Sequence, residues 1–212
     1  FVDAPFLMET LVGHVAQVVL DLYRSAHRTF GDLPQQVEYC DYQTGAMTAY
    51  ASAAELECAR PPPPQSVRVV CISDTHLAHE DLRLPHGDVL VHCGDWDWMG
   101  SWKGDVSEGL LRQFGAWLRR QPCTFKVVTA GNHDAWCEAL GPDRVQALLA
   151  AGEGGIHYLQ DTEACLWVRG QPVRIYGSPL SIRHGKSKNS AFSVPSEEAL
   201  SEAWRGRVPP GL

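Results

Sequence analysis

No run of lysines and arginines appears in this chain. Its 18 basic side chains are scattered and are outnumbered by 25 acidic ones, for a net charge of −7. That balance argues against a nucleic-acid groove or a patch for anionic membranes, while leaving room for one local cationic loop. No apolar stretch reaches the roughly 20 residues that span a bilayer, and no internal repeat recurs. Cys-x-x-Cys spacing is missing too. The seven cysteines are an odd number, and Cys71, Cys93 and Cys165 fall inside predicted strands. They read as reduced, mostly buried thiols of a reducing, cytoplasmic compartment. The first residue is Phe1 rather than methionine, so a targeting segment ahead of it stays open.

What is present is ordinary globular composition, 44% hydrophobic and 20% charged over 212 residues, enough for one sizeable domain or one domain with an appendage. The sequence "RPPPPQS", Arg60 to Ser66, is a stiff polyproline-like linker. It divides residues 1–60, an appendage of unknown role, from a domain over 67–212. In the appendage, Leu7, Met8, Leu11, Val12, Val15, Val18, Val19, Leu22 and Tyr23 recur at helical spacing. They predict an amphipathic helix within 7–30, a candidate surface for a protein partner. Val37–Tyr42 and Ala46–Tyr50 predict a hairpin. His14 and His27 read as solvated.

Beyond the linker, "VRVVCI" (67–72) and "DVLVHC" (88–93) are nearly continuous apolar runs, as for strands covered on both faces. "GDVSEGLLRQFGAWLRRQP" predicts a helix over 106–120, and Phe125–Thr129 a third strand. A helix over Asp143–Ala151 follows, opened by Pro142. Then come short strands at 156–159, 163–168 and 173–176, the last two a hairpin. This is an α/β chain with a mixed sheet.

Strand, helix and strand over 88–129 form a β-α-β unit, so the carboxyl ends of its strands share one sheet edge. At such edges open α/β sheets bind ligands. The three strands end in "SDTH" (73–76), "GD" (94–95) and "GNHD" (131–134). Asp74, His76, Asp95, Asn132 and His133 are thereby delivered to one crevice, with Gly94 and Gly131 keeping the backbone slim. Oxygen and nitrogen donors without thiolates suit manganese, iron, cobalt or zinc. A neutral Asn makes sense where a shared Asp already serves two cations. Two cations about 3.5–4 Å apart hold a hydroxide and polarise a phosphoryl oxygen, and a neighbouring His protonates the departing alkoxide.

These three blocks resemble those of the calcineurin-like metallophosphoesterases. The longer match, "VCISDTHLAHEDLRLPHGDVLVHCGD" through "VVTAGNHD", "YLQD" and "RIYGSP", is similar to the metallophosphoesterase-domain-containing branch of small phosphodiesterases. The resemblance covers 67–212. It implies an α/β fold, a sandwich of mixed sheets flanked by helices, and hydrolysis of phosphoesters, phosphodiesters in particular, by hydroxide held on two metal ions, manganese favoured. It implies that Asp74 and His76 bind the first metal, Asp95 bridges, Asn132 binds the second and His133 is the general acid. Relatives place an acid at the position of Trp98 to orient that histidine; here Asp97, one residue earlier, is the candidate. The family's later "HG" and "GxH" ligand blocks find no counterpart, so the expectation is a domain truncated before its last strands and nearly inactive alone.

His184 and Arg183, in "SIRHGKSK", are candidates for meeting substrate phosphate, and Lys186 a weaker one. Trp96, Trp98 and Trp102 either wall the cleft, stacking on a nucleotide base, or pack in the core. His92 reads as a core residue behind the site, His157 as a strand residue, and His79 and His86 as solvated loop residues. The rival to an enzyme is a binding or scaffold protein that keeps half the ligands.

Overall fold

The run Val69–Val70-Cys71–Ile72 is a strand because both its faces are covered. Val70 and Ile72 turn one way and Val69 the other, and all three are buried, so no polar residue is called for on either side. The computed structural model describes residues 17–19, 37–40, 44–61, 66–97, 104–151, 155–183, 185 and 190–210. Its strands are β1 (Gln17–Val19), β2 (Val37–Cys40), β3 (Met47–Tyr50), β4 (Val69–Ile72), β5 (Gly87–His92), β6 (Cys123–Val128) and β7 (Ile156–Tyr158), then β8 (Thr162–Val168), β9 (Gln171–Gly177), β10 (Ser181–Ile182) and β11 (Ser193–Val194). The helices are α1 (Ala53–Ala59), α2 (Gly104–Arg120), α3 (Ala135–Leu140), α4 (Pro142–Leu149) and α5 (Glu197–Arg205). Among these no helix is long and apolar enough to cross a membrane.

The main sheet runs β3-β2-β1-β4-β5-β6-β7. Strands β4 to β7 pair in parallel, with Ile72 beside His92 and His92 beside Val128. One face carries Val70, Ile72, Leu90 and Val128 against Leu111, Phe114, Trp117 and Leu118 of α2 and Val145, Leu148 and Leu149 of α4. The other carries Val69, Val89, Val91 and Val127 against Ala164, Leu166 and Val168 of β8 and Ile175 of β9. Helices, main sheet and the β8–β9 hairpin are therefore successive layers around two cores. The mixed-sheet, helix-flanked α/β fold is the one expected.

Some local expectations fail. Gln17–Val19 is a strand within the stretch read as helix, antiparallel to β2 and parallel to β4, with Val18 opposite Val70. The valines at 18 and 19 satisfy helical spacing, but β-branched residues also fill a pleated sheet, and the neighbouring strand decides. The rest of the 7–30 stretch lies outside the described residues. The hairpin in the appendage is present as β2–β3. Helix α1, not expected, is signalled by Ser52, whose Oγ accepts the Glu55 N–H at 3.2 Å while Glu55 accepts the Ala51 N–H at 2.6 Å. His79 is buried against Phe114 and Trp117 rather than solvated, because the short 3-10 turn Ala78–Asp81 folds back over α2. His86 is exposed and His157 lies in β7.

At the opposite end of the sheet from the three strand-end motifs, Asp88 accepts the Arg68 backbone N–H and the Arg169 Nε–H, both at 2.8 Å. Arg68 is itself buried and donates to the carbonyls of His86 and Arg60. Asp88→Ala orphans a buried N–H and breaks an ion pair whose other member, half-exposed Arg169, can rehydrate. The expected loss is about 2–4 kcal/mol, measured as a lower urea midpoint at unchanged slope.

Candidate metal centre

Each strand of the β4–β5–β6 set ends where its backbone turns sharply. Asp74, His76 and Asp95 all have positive φ, at 54°, 43° and 55°. That left-handed region is uncommon for residues with a Cβ, and its use concentrates at functional sites. The loops are stitched together: Asp74 N–H donates to Gly94 O at 3.0 Å, His76 N–H to Asp95 O at 3.1 Å, and Leu77 N–H to Trp96 O at 2.8 Å. Gly94, at φ 104°, and Gly131 have no room for more. A Cβ on Gly94 would meet the Ala130 carbonyl carbon at 2.8 Å, and one on Gly131 would run into Asp95 Oδ1.

These turns bring His76, Asp95 and His133 together, with one ligand atom of each within 4.8 Å of the others. The two imidazoles lie edge to face, centroids 4.8 Å apart. Asp95 Oδ1 accepts the His133 N–H at 2.9 Å. Burial pushes the Asp95 carboxyl up, and the negative charge of nearby Asp74 pushes the same way, against the His133 N–H and the charges of His133 and His76. A bound cation would relieve both unfavourable effects, and the donor set of imidazole nitrogen and carboxylate oxygen fits a divalent transition metal. His76 Nδ1 lies 2.9 Å from the Asp97 carbonyl. A carbonyl only accepts, so Nδ1 carries the hydrogen and Nε2 is left for a ligand.

Of the other expected residues, Asp74 is exposed beside the group and accepts a hydrogen bond from Ser73 Oγ. Asn132 lies in the same turn as His133, its carbonyl accepting the Ala191 N–H at 3.2 Å. Asp97 is buried, and its main-chain carbonyl faces His76 Nδ1. Trp96 does not wall a cleft: it is 2% exposed and stacks on Phe114, centroids 5.2 Å apart. An aromatic just after a strand end reads the same in sequence whether it turns toward core or cleft, and here it closes the core below the site. Arg183 is exposed at the end of β10, while His184, Lys186, Trp98 and Trp102 lie outside the described residues.

Two buried polar residues stand behind this group. His92 is fully buried, as expected; its Nδ1 accepts the Gly94 N–H at 3.3 Å and its Nε2 meets Thr75 Oγ1 at 3.0 Å. Burial holds its pKa down to about 3, so the ring is neutral. Asp134 received no role from the sequence, although it is the fourth letter of "GNHD". It is 0% exposed and accepts backbone N–H groups from Asp95, Asp97 and Gly131. Burial raises its pKa well above the usual carboxylate range, with Asp95 adding to the rise and the three N–H donors opposing it.

The calcineurin-like phosphoesterase pattern matches residues 67–204, more than half of the chain and every residue of this centre. The chain belongs to the calcineurin-like phosphoesterase family. Among curated relatives, metallophosphoesterase domain-containing protein 1 of Homo sapiens and of Mus musculus are each 34% identical over 174 residues, 72% of this chain and 48% of theirs. A protein of Emericella nidulans described as probable rhamnogalacturonate lyase C is 36% identical over 135 residues, 61% of this chain but 12% of that one. This calcineurin-like chain thus spans about half the length, 48%, of the first relatives it matches.

Proposed function

We propose that the protein hydrolyses phosphoesters, phosphodiesters in particular, with two divalent cations, manganese favoured, at the carboxyl ends of β4, β5 and β6. The observation that carries this reading is the convergence of His76, Asp95 and His133 on loops that belong to the matched family region. On this reading Asp74, His76 and Asp95 hold one cation, and Asp95 with Asn132 reaches the other. Bound there, such cations lower the pKa of water toward about 7 and polarise a phosphoryl oxygen. His133 keeps a proton at the rim for the leaving alkoxide. Arg183 offers positive charge to the substrate, with His184 as the second candidate for meeting it. The six described cysteines that are unpaired support a reducing, cytoplasmic setting.

The test is elemental analysis after dialysis against manganese and desalting, with hydrolysis of bis-nitrophenyl phosphate assayed in parallel. Wild-type protein should retain manganese well above Asp95→Ala, and turnover of the ester is expected from a version extended to include the later ligand blocks, on which hydrolysis is assayed. Retention no greater than that of Asp95→Ala overturns the reading. Retained manganese with no turnover of any ester favours the silent scaffold instead.

A further inference from the structure

We infer that Asp134 is a positioning residue of this centre, one buried carboxylate that sets all three converging side chains through backbone amides of Asp95, Gly131 and Asp97. Its Oδ2 accepts the Asp95 N–H at 2.8 Å and the Gly131 N–H at 2.7 Å, and its Oδ1 accepts the Asp97 N–H at 3.0 Å. Each of those amides leads directly to the centre. The first belongs to Asp95 itself, whose φ of 55° is a minority conformation for a residue with a side chain and needs an external hold. The second begins the turn that presents His133, whose own N–H returns to Asp95 Oδ1 at 2.9 Å. The third belongs to Asp97, whose carbonyl holds His76 Nδ1 at 2.9 Å. Asp134 touches no reacting atom on this account; it acts through its neighbours.

Acceptor count makes the carboxylate specific. An amide at this position has one accepting oxygen. Placed at Oδ2, that oxygen keeps Asp95 and Gly131 but turns an NH2 group onto the Asp97 N–H, donor against donor. Placed at Oδ1, it keeps Asp97 and opposes the other two. With the side chain 0% exposed, water does not repair either arrangement. Asp134→Asn therefore changes almost no volume and still releases part of the clasp. Partners that orient metal-ligating side chains typically contribute 10–100-fold to metal affinity.

The inference rests on reading His76, Asp95 and His133 as the cation-holding group, and the experiment separates the two. Cobalt(II) is titrated into the full chain, and its visible absorption reports coordination. The proteins are wild type, Asp134→Asn and Asp88→Ala, the last a destabilised variant at the far end of the sheet. Asp134→Asn should bind cobalt about 10–100-fold more weakly with an altered spectrum, while Asp88→Ala keeps the wild-type affinity and spectrum. Asp134→Asn with wild-type affinity and spectrum overturns the inference and leaves the metal reading standing. No cobalt bound by the wild type overturns the metal reading itself. Amide exchange in the metal-free wild type gives a second readout that survives if Asp134→Asn does not fold. The amides of Asp95, Asp97 and Gly131 should exchange slowly; fast exchange at all three overturns the clasp.

Discussion

On the proposed reading, and in a version that includes the later ligand blocks, His133→Ala will lower hydrolysis of an alkyl phosphodiester by about 10²–10⁴-fold, the range for loss of a general acid or base, and will lower hydrolysis of a nitrophenyl ester far less. The imidazole is held beside the centre on two sides, by its backbone N–H on Asp95 Oδ1 at 2.9 Å and by the His76 ring at 4.8 Å. An alkoxide leaves only as it gains a proton, whereas a nitrophenolate leaves without one. A general acid therefore shows itself as a loss that grows with the basicity of the leaving group. Its nitrogen also lies within the 4.8 Å group that could grip a cation. Equal losses for both esters, accompanied by loss of bound manganese, would make His133 a ligand and not the acid. Steady-state rates on the two esters, with metal content measured on the same samples, decide between the roles.

Phe114→Ala should be the most damaging single core change, at about 3–5 kcal/mol. For a domain of this size that is a fall in melting temperature of about 6–20 °C, read by thermal unfolding. Phe114 is 0% exposed and is the hub of a ring cluster. It stacks between Trp96 at 5.2 Å and Trp117 at 5.7 Å, and meets His79 at 5.0 Å and His92 at 5.1 Å edge to face. The damage will not stay in the core. Trp96 directly follows Asp95, and His92 holds Thr75 and Gly94, the neighbours of His76 and Asp95. A cavity at Phe114 loosens both supports, so cation affinity should fall with stability. Phe114→Leu, which keeps more of the volume, should lose less of each.

The elements legible in the sequence were those whose burial leaves one reading. The runs of β4, β5 and β6 are short and mostly buried, and the regular crossover helix α2 makes β5 and β6 parallel. With that, the placement of "SDTH", "GD" and "GNHD" at one edge follows before any coordinates. What escaped depends on contacts distant in sequence. Val18 and Val19 fit a helix and a strand equally, and only the partner Val70 decides. Trp96 turns inward because Phe114, across a crossover, offers it a stacking face. Asp134 drew no role, since nothing local reveals that amides of residues 95 and 97 converge on it. The fold was therefore more legible than the division of labour inside the centre.

The left-handed backbone at Asp74 and Asp95 bears on how such a protein can change over generations. Aspartate and asparagine are the side chains that tolerate this conformation best after glycine, and one transition in the first base of the codon converts the first into the second. The exchange removes a negative charge and keeps the turn. On the proposed reading, chemistry and architecture are thus separately mutable at these two positions: a single base change removes the proposed ligand charge without losing the folded product. For the bench, the same tolerance makes Asp95→Asn the variant with which to trap an unreacted ester on an intact scaffold.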